Sequence, residues 1–453
     1  MRTFLYQWAK ANGAILFNAG SLIGTTAVTS SLGFAYWWLA ARQFSPKAVG
    51  LASATISAMT LLGTLGILGL GTLLVGELSR QKGKEASLIS AALILVGGVG
   101  ACFGIAFAAV APYLSTDFQV LRTSIGNIAL FAFGVSLTAI TLVLDQALIG
   151  LLRGGMQLWR NTFFAVTKLV ALFAVAFWVF KETGLTIYAT WVISNALSLV
   201  ALAWFAVIKG EKVGKSCLPQ WGLLRKLGPE ALKHHALNLT LQAPSLILPV
   251  LVTVILSATT NAWFFVSWSI ASFANIASVA LTTALYAASS TQPTTVARKI
   301  RLTLSLALVA TVLANCVLLL GTKQVLGIFG HSYAEQASWS LRILGLESFP
   351  FIIKNHYVAV RRIQGRVARA TLPTIAGGVL ELGSSTLGAY LGGLSGLSLG
   401  WLLAVCIEAI CMSRTVYKAA RPMGTSASID TNQRKRSESY SEDTLTDEAW
   451  TGQ

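Results

Sequence analysis

With 453 residues, 55% of them hydrophobic, only 11% charged, and a mean hydropathy of +0.68, the chain is too apolar for a soluble domain, where charge runs near a quarter. Its 34 Lys and Arg against 17 Asp and Glu leave a net charge of +17, yet the bases cluster in short segments between apolar runs, which is a topology signal and not a nucleic-acid footprint. Five cysteines without CxxC or CxxxH spacing predict neither disulfides nor a metal site.

The first apolar run, 13–41, exceeds the roughly 7–15 residues of a signal-peptide core and is read as a retained span. Further runs long enough to cross about 30 Å of hydrocarbon follow at 48–76, 87–113, 124–150, 162–180, 185–208, 236–258, 262–290, 303–321, 337–360, 371–394 and 396–417. Backbone polar groups at that depth require helices, so the predicted class is an all-α integral membrane protein of about twelve transmembrane helices. Gly63, Gly66 and Gly69 in span two suit close helix packing. Pro244 and Pro249 in span seven and Pro350 in span ten are expected to interrupt their helices and are candidate gate positions.

Counting Arg414 with the C-terminal segment, 26 of the 34 bases fall on the side of the N-terminus and 5 on the other. The positive-inside rule then places both termini in the cytoplasm. Residues 209–235 form a basic cytoplasmic linker that divides a six-helix bundle at 1–208 from a pseudo-symmetric second at 236–417. The Ser-, Thr- and acid-rich segment 418–453 is read as a disordered cytoplasmic tail. Tyr36, Trp37, Trp38, Trp178 and Trp401 lie near the outer interface and are read as belt residues.

Short outer loops leave no room for an external catalytic domain, and no Walker loop, HExxH or GxSxG occurs, so the chain is expected not to be an enzyme. His234 and His235 are adjacent, their rings diverge on a helix, and no ligand role is expected.

Charges at membrane depth are costly and by default face a bundle interior or a wet cavity. Asp145 and Lys168 are nearly equidistant from the middle of the turn at 151–161 and can pair, either as a static lock or in substrate binding or coupling. Glu347 and Lys354 share a helix face about 10 Å apart along the axis, whereas Arg342 and Lys354 are close enough to the span ends to snorkel. Glu381 and Glu408 fall near the midplane on neighbouring helices. Facing each other, one would hold a proton, which suits coupling to H+ or Na+; alternatively each bonds a Ser or Thr on another span.

The stretch Ala41-Arg42-Gln43-Phe44-Ser45-Pro46 with Gly50, and Leu326-Gly327-Ile328-Phe329-Gly330-His331-Ser332-Tyr333-Ala334 followed by Leu341-Arg342-Ile343-Leu344 and Arg362 to Arg366, resemble polysaccharide flippases of the multidrug/oligosaccharidyl-lipid/polysaccharide exporter superfamily. The resemblance covers most of 14–417 in span count and layout. The loop Ser257 to Asn261 lacks the Arg-x-x-Ser-Pro pattern of the first half.

This resemblance implies two bundles around a cationic cavity in a bacterial inner membrane. The cargo would be a polyprenyl-diphosphate-linked oligosaccharide, with membrane lipids and polysaccharide polymerase or assembly proteins as partners, and neither nucleic acid nor a cofactor beyond a coupling ion. Fixed cations would replace the water that a diphosphate loses; Arg342, Lys354, Lys168 and Arg153 are the candidates, with Glu347, Asp145, Glu381 and Glu408 as candidate coupling carboxylates. The competing readings are a drug or organic-cation antiporter, a lipid II flippase, and a membrane glycosyltransferase or polymerase.

Overall fold

The computed structural model describes residues 2–78, 83–178, 183–208, 219, 221–289, 296–366 and 368–421, and among these there is no strand. The chain opens with α1 (Arg2–Gln43), α2 (Pro46–Gly66), α3 (Leu70–Glu77), α4 (Glu85–Leu114), α5 (Ile125–Gly150), α6 (Gly154–Trp178) and α7 (Gly184–Ile208). It continues through α8 (Trp221–Ile255), α9 (Ala258–Ser289), α10 (Val296–Leu320), α11 (Thr322–Gly327), α12 (His331–Gln336), α13 (Ser338–Leu346), α14 (Ser348–Ile363) and α15 (Ala368–Ala420). Local chemistry sets several starts. Ser45 caps α2 by accepting from the Ala48 amide, ahead of Pro46 in the first turn, and Ser124 caps α5 by accepting from Asn127.

Among the described residues nine segments are long and apolar enough to span a membrane. Twelve crossings result when α1 is added, the pair α13 and α14 is taken as one broken span, and α15 is counted as two. That last helix folds back on itself where Gly392 and Gly393 leave helical geometry, Gly393 at φ 57°. Span two is also broken: Leu68 and Gly69 take φ 52° and 78°, separating α2 from α3. Only a glycine adopts the second of these without strain. In span ten the break falls at Glu347, between α13 and α14. Pro350 has no N–H for the Leu346 carbonyl, the last of α13, which accounts for the break being there.

Three expectations need correction. Helix α8 begins at Trp221, so the second part of the linker is helical; residues 209–218 and 220 lie outside the described residues, as does the tail from 422. The same helix runs unbroken through Pro244 and Pro249. Pro244 packs against Gly378 of α15, where an added Cβ would come within 3.0 Å of its ring. The first helix also extends well ahead of residue 13, to Arg2.

The halves α1–α7 and α8–α15 meet along α2 and α9 and along α2 and α8. Asn261 donates to the Gly50 carbonyl at 2.8 Å and to Ser53 Oγ at 3.0 Å, and Asp117 accepts from the Ala258 amide at 2.8 Å. Trp38 Nε1 donates to the Ile328 carbonyl at 3.1 Å. All three contacts lie at the end of the molecule whose loops are poor in Lys and Arg. A Cβ at Gly50 would overlap the Ala258 carbonyl, so the backbones touch there.

The two arms of α15 are equally close, Gly388 lying against Gly396 and Gly400 against Ser384. Gly388→Leu is therefore expected to destabilise the fold by about 2 kcal/mol or more, while Gly383→Leu, a position with open space around it, leaves stability nearly unchanged. Thermal unfolding of the two variants in detergent checks the difference.

Candidate functional site

The second half carries its buried charges where α14 faces both arms of α15. Lys354 Nζ lies 2.5 Å from Glu381 Oε1 and 3.0 Å from Glu408 Oε2. Space for the Glu408 carboxylate comes from Gly377, where any Cβ would collide with it. Glu381 and Glu408 therefore do face one another, but across a shared ammonium and not through separate hydroxyl partners. Glu347, 4% exposed, takes Asn275 Nδ2 on Oε1 at 3.1 Å and Trp401 Nε1 on Oε2. His356, fully buried on the same helix, bonds the Ile352 carbonyl at 2.8 Å and Thr303 Oγ1 at 3.1 Å.

The expected Asp145–Lys168 pair does not form. Asp145 is held by Arg160, with Nε to Oδ1 at 3.1 Å and Nη2 to Oδ2 at 2.8 Å, and by Asn161 Nδ2 at 3.1 Å. Arg160 is 3% exposed and lies within 3.5 Å of both Asn195 and Ser198. The two-point fork fits a carboxylate better than an ammonium would.

Lys168 is 4% exposed and has no carboxylate within ion-pair range among the described residues. Its ammonium lies 3.8 Å from the ring centroid of Trp191, 5.0 Å from that of Phe164 and 5.2 Å from that of Tyr36. Aromatic faces supply a negative quadrupole that attracts a cation without neutralising it. Tyr36 is fixed by bonds from its hydroxyl to the Ile187 carbonyl at 3.0 Å and Thr190 at 2.9 Å. The belt assignment thus fails for Tyr36 and Trp401, both buried by specific partners. Trp38 and Trp178, 39% and 77% exposed, do face the membrane.

Between the halves lies a cavity of about 310 Å³, with Ser30, Phe34 and Trp37 on α1 and Ser269, Ser272 and Phe273 on α9. Trp37 links its wall to the cluster around Lys168, lying 5.4 Å from Tyr36 and 6.4 Å from Trp191, centroid to centroid. The other two candidate cations lie elsewhere. Arg342 sits near the basic-poor end, bonded to Thr322 Oγ1 at 3.3 Å and stacked over Trp339, and Arg153 is exposed in the α5–α6 turn.

No protein-family model and no curated protein matches the sequence. Solved structures do. An inward-facing multidrug resistance MATE family transporter of the MOP superfamily superposes with a TM-score of 0.69 at 14% identity, over 88% of this chain and 98% of its own. The lipid II flippase MurJ, in an inward closed conformation, gives 0.66 at 14% identity over 87% of this chain and 86% of its own. The fold is the one these transporters share. An outward-facing MATE transporter covers as much, 90% and 96%, at 13% identity, but fits less well, at 0.57.

The pairing pattern predicts how the charges couple. A double-mutant cycle between Asp145→Asn and Arg160→Gln is expected to show an interaction of about 0.5–3 kcal/mol, whereas a cycle between Asp145→Asn and Lys168→Met gives none. In the second half Lys354→Met strands two carboxylates and is expected to cost about 3–5 kcal/mol. Adding Glu381→Gln and Glu408→Gln to that variant recovers most of the loss. Thermal or denaturant unfolding in detergent reads both experiments.

Proposed function

We propose that the chain is a flippase that carries a polyprenyl-diphosphate-linked oligosaccharide from the inner to the outer leaflet of the bacterial cytoplasmic membrane by alternating access of its two halves. The observation that carries this reading is the sign of the uncompensated buried cation. Lys168 lies among aromatic rings without a carboxylate, and a diphosphate leaving water is the kind of group such a charge receives.

An organic-cation antiporter would present an unfilled carboxylate instead. Here Asp145 is paired with Arg160 and Glu347 takes two N–H donors, while Glu381 and Glu408 share the single ammonium of Lys354, the closer contact going to Glu381. The likeness in fold to transporters that include a lipid II flippase supports a lipid-linked cargo. The serines and aromatic rings of the cavity beside Trp37 suit a sugar, whose hydroxyls seek hydrogen bonds and whose C–H faces stack on rings. With the basic-rich face cytoplasmic, the bonds of Asn261, Asp117 and Trp38 fasten the halves on the outer side. Lys354, Glu381 and Glu408 remain the group for coupling to H+ or Na+, and no catalytic step is assigned.

Deleting the protein is expected to accumulate lipid-linked oligosaccharide on the cytoplasmic side, and wild type is expected to clear it. Lys168→Ala should slow flipping by about 10–100-fold, the loss of one charge-assisted bond, at unchanged expression. Normal oligosaccharide export in cells lacking the protein would overturn the assignment; sensitivity to cationic drugs that changed instead would point to the antiporter.

A further inference from the structure

A second cavity lies on the outside of the molecule, along the seam between α1 and α6. Ala35, Trp38 and Leu39 form one wall, with Gln43 at its end, and Leu169, Val170, Phe173 and Phe177 the other; it is about 500 Å³, and Gln43 is the one polar residue among these. Val170, Phe173 and Phe177 are exposed on the membrane-facing side of α6. From Leu169 to Phe177 the groove runs about 12 Å along the helix.

The groove and the Lys168 box are the two sides of one seam. Leu169 in the groove follows Lys168 in the box, and Ala35 in the groove precedes Tyr36, which bonds Thr190 and stacks on the ammonium. Trp38 is held by its bond to the Ile328 carbonyl of the other half, which makes it a fixed wall. Phe173 and Phe177 pack against each other with centroids 4.5 Å apart, giving the opposite wall a ridged aromatic surface.

We infer that this groove seats the isoprenoid chain of a lipid diphosphate whose phosphates reach Lys168 through the α1–α6 seam. The inference rests on the flippase reading and adds where the tail lies. Inside a bilayer an apolar groove gains little from the hydrophobic effect, because lipid tails are its alternative surroundings. Selection for one lipid must come from shape and from tethering. Methyl-branched chain against aromatic rings supplies the first. Attachment to a headgroup held by a fixed charge supplies the second, since the tail then meets the groove at high effective concentration.

The test is photolabelling of the full chain in nanodiscs with a polyprenyl diphosphate bearing a benzophenone on its chain, the sites being read by mass spectrometry. The expected labels fall on 35–43 and 169–177. They are competed by unlabelled polyprenyl diphosphate and not by excess phosphatidylglycerol. Val170→Trp, on the lipid-facing wall, is expected to cut labelling there about tenfold, and Lys168→Ala to reduce it comparably.

Competable label confined to other helices overturns the groove and leaves the flippase reading standing. Label at the groove that phosphatidylglycerol removes equally well identifies an ordinary lipid seat and also overturns the proposal. Absence of any competable label brings down both readings together.

Discussion

An ammonium held between two carboxylates organises the second half of this protein. Lys354 stands on α14, Glu381 and Glu408 on the two arms of α15, and neither carboxylate could remain charged at that depth without the ammonium. The glycines around them follow from it. Gly377 makes room for the Glu408 carboxylate, and Gly378 lets Pro244 of α8 close over the same stretch. Asp145 and Arg160 serve the first half in the same way, joining α5 to α6 and reaching α7 through Asn195 and Ser198. Lys168, by contrast, is buried among aromatic rings with no carboxylate in ion-pair range among the described residues.

The sequence was informative about spans and about which charges are buried, and less so about partners. Hydrophobic length alone located the twelve crossings, because hydrocarbon thickness sets a single scale. Pairing depends instead on where each turn falls. Placing the α5–α6 turn near residue 156 matches Asp145 with Lys168. The chain actually turns at Leu152, the residue with φ 56°, and a turn about four residues earlier matches Asp145 with Arg160. Arg160 falls inside the turn when that turn is placed at 151–161; seven residues before and eight after Leu152, Asp145 and Arg160 stand at matched depth. The α15 hairpin likewise turns at Gly392–Gly393 and not beyond it, which offsets Glu381 from Glu408 and leaves space for a long lysine to bridge them.

Aromatic residues were misread for a related reason. A Tyr-Trp-Trp run at a span end fits an interfacial belt by composition, but a helix presents consecutive residues in directions 100° apart. Tyr36 therefore faces Lys168, Trp37 the cavity and Trp38 the membrane, and each has a separate task. Trp401 could be recognised only through Glu347, with which it shares no sequence proximity. Breaks in helices were partly legible: Pro350 explains the one at Glu347, whereas Leu68, a non-glycine with positive φ, gives no warning beyond the Gly69 that follows it.

The bonds that join the halves share a peculiarity. Asn261 meets the carbonyl of Gly50, Asp117 the amide of Ala258, and Trp38 the carbonyl of Ile328. Each of these sets a side chain on one half against main chain on the other, Asn261 adding a second bond to the Ser53 hydroxyl. Every polypeptide offers those main-chain groups whatever its side chains, so drift at positions 258 and 328 leaves the acceptors and donors in place. Evolution can thus weaken or strengthen each fastening by a single codon, at 38, 117 or 261, without a matching change across the interface. The strength of the joint between the halves becomes a trait adjustable in independent single steps.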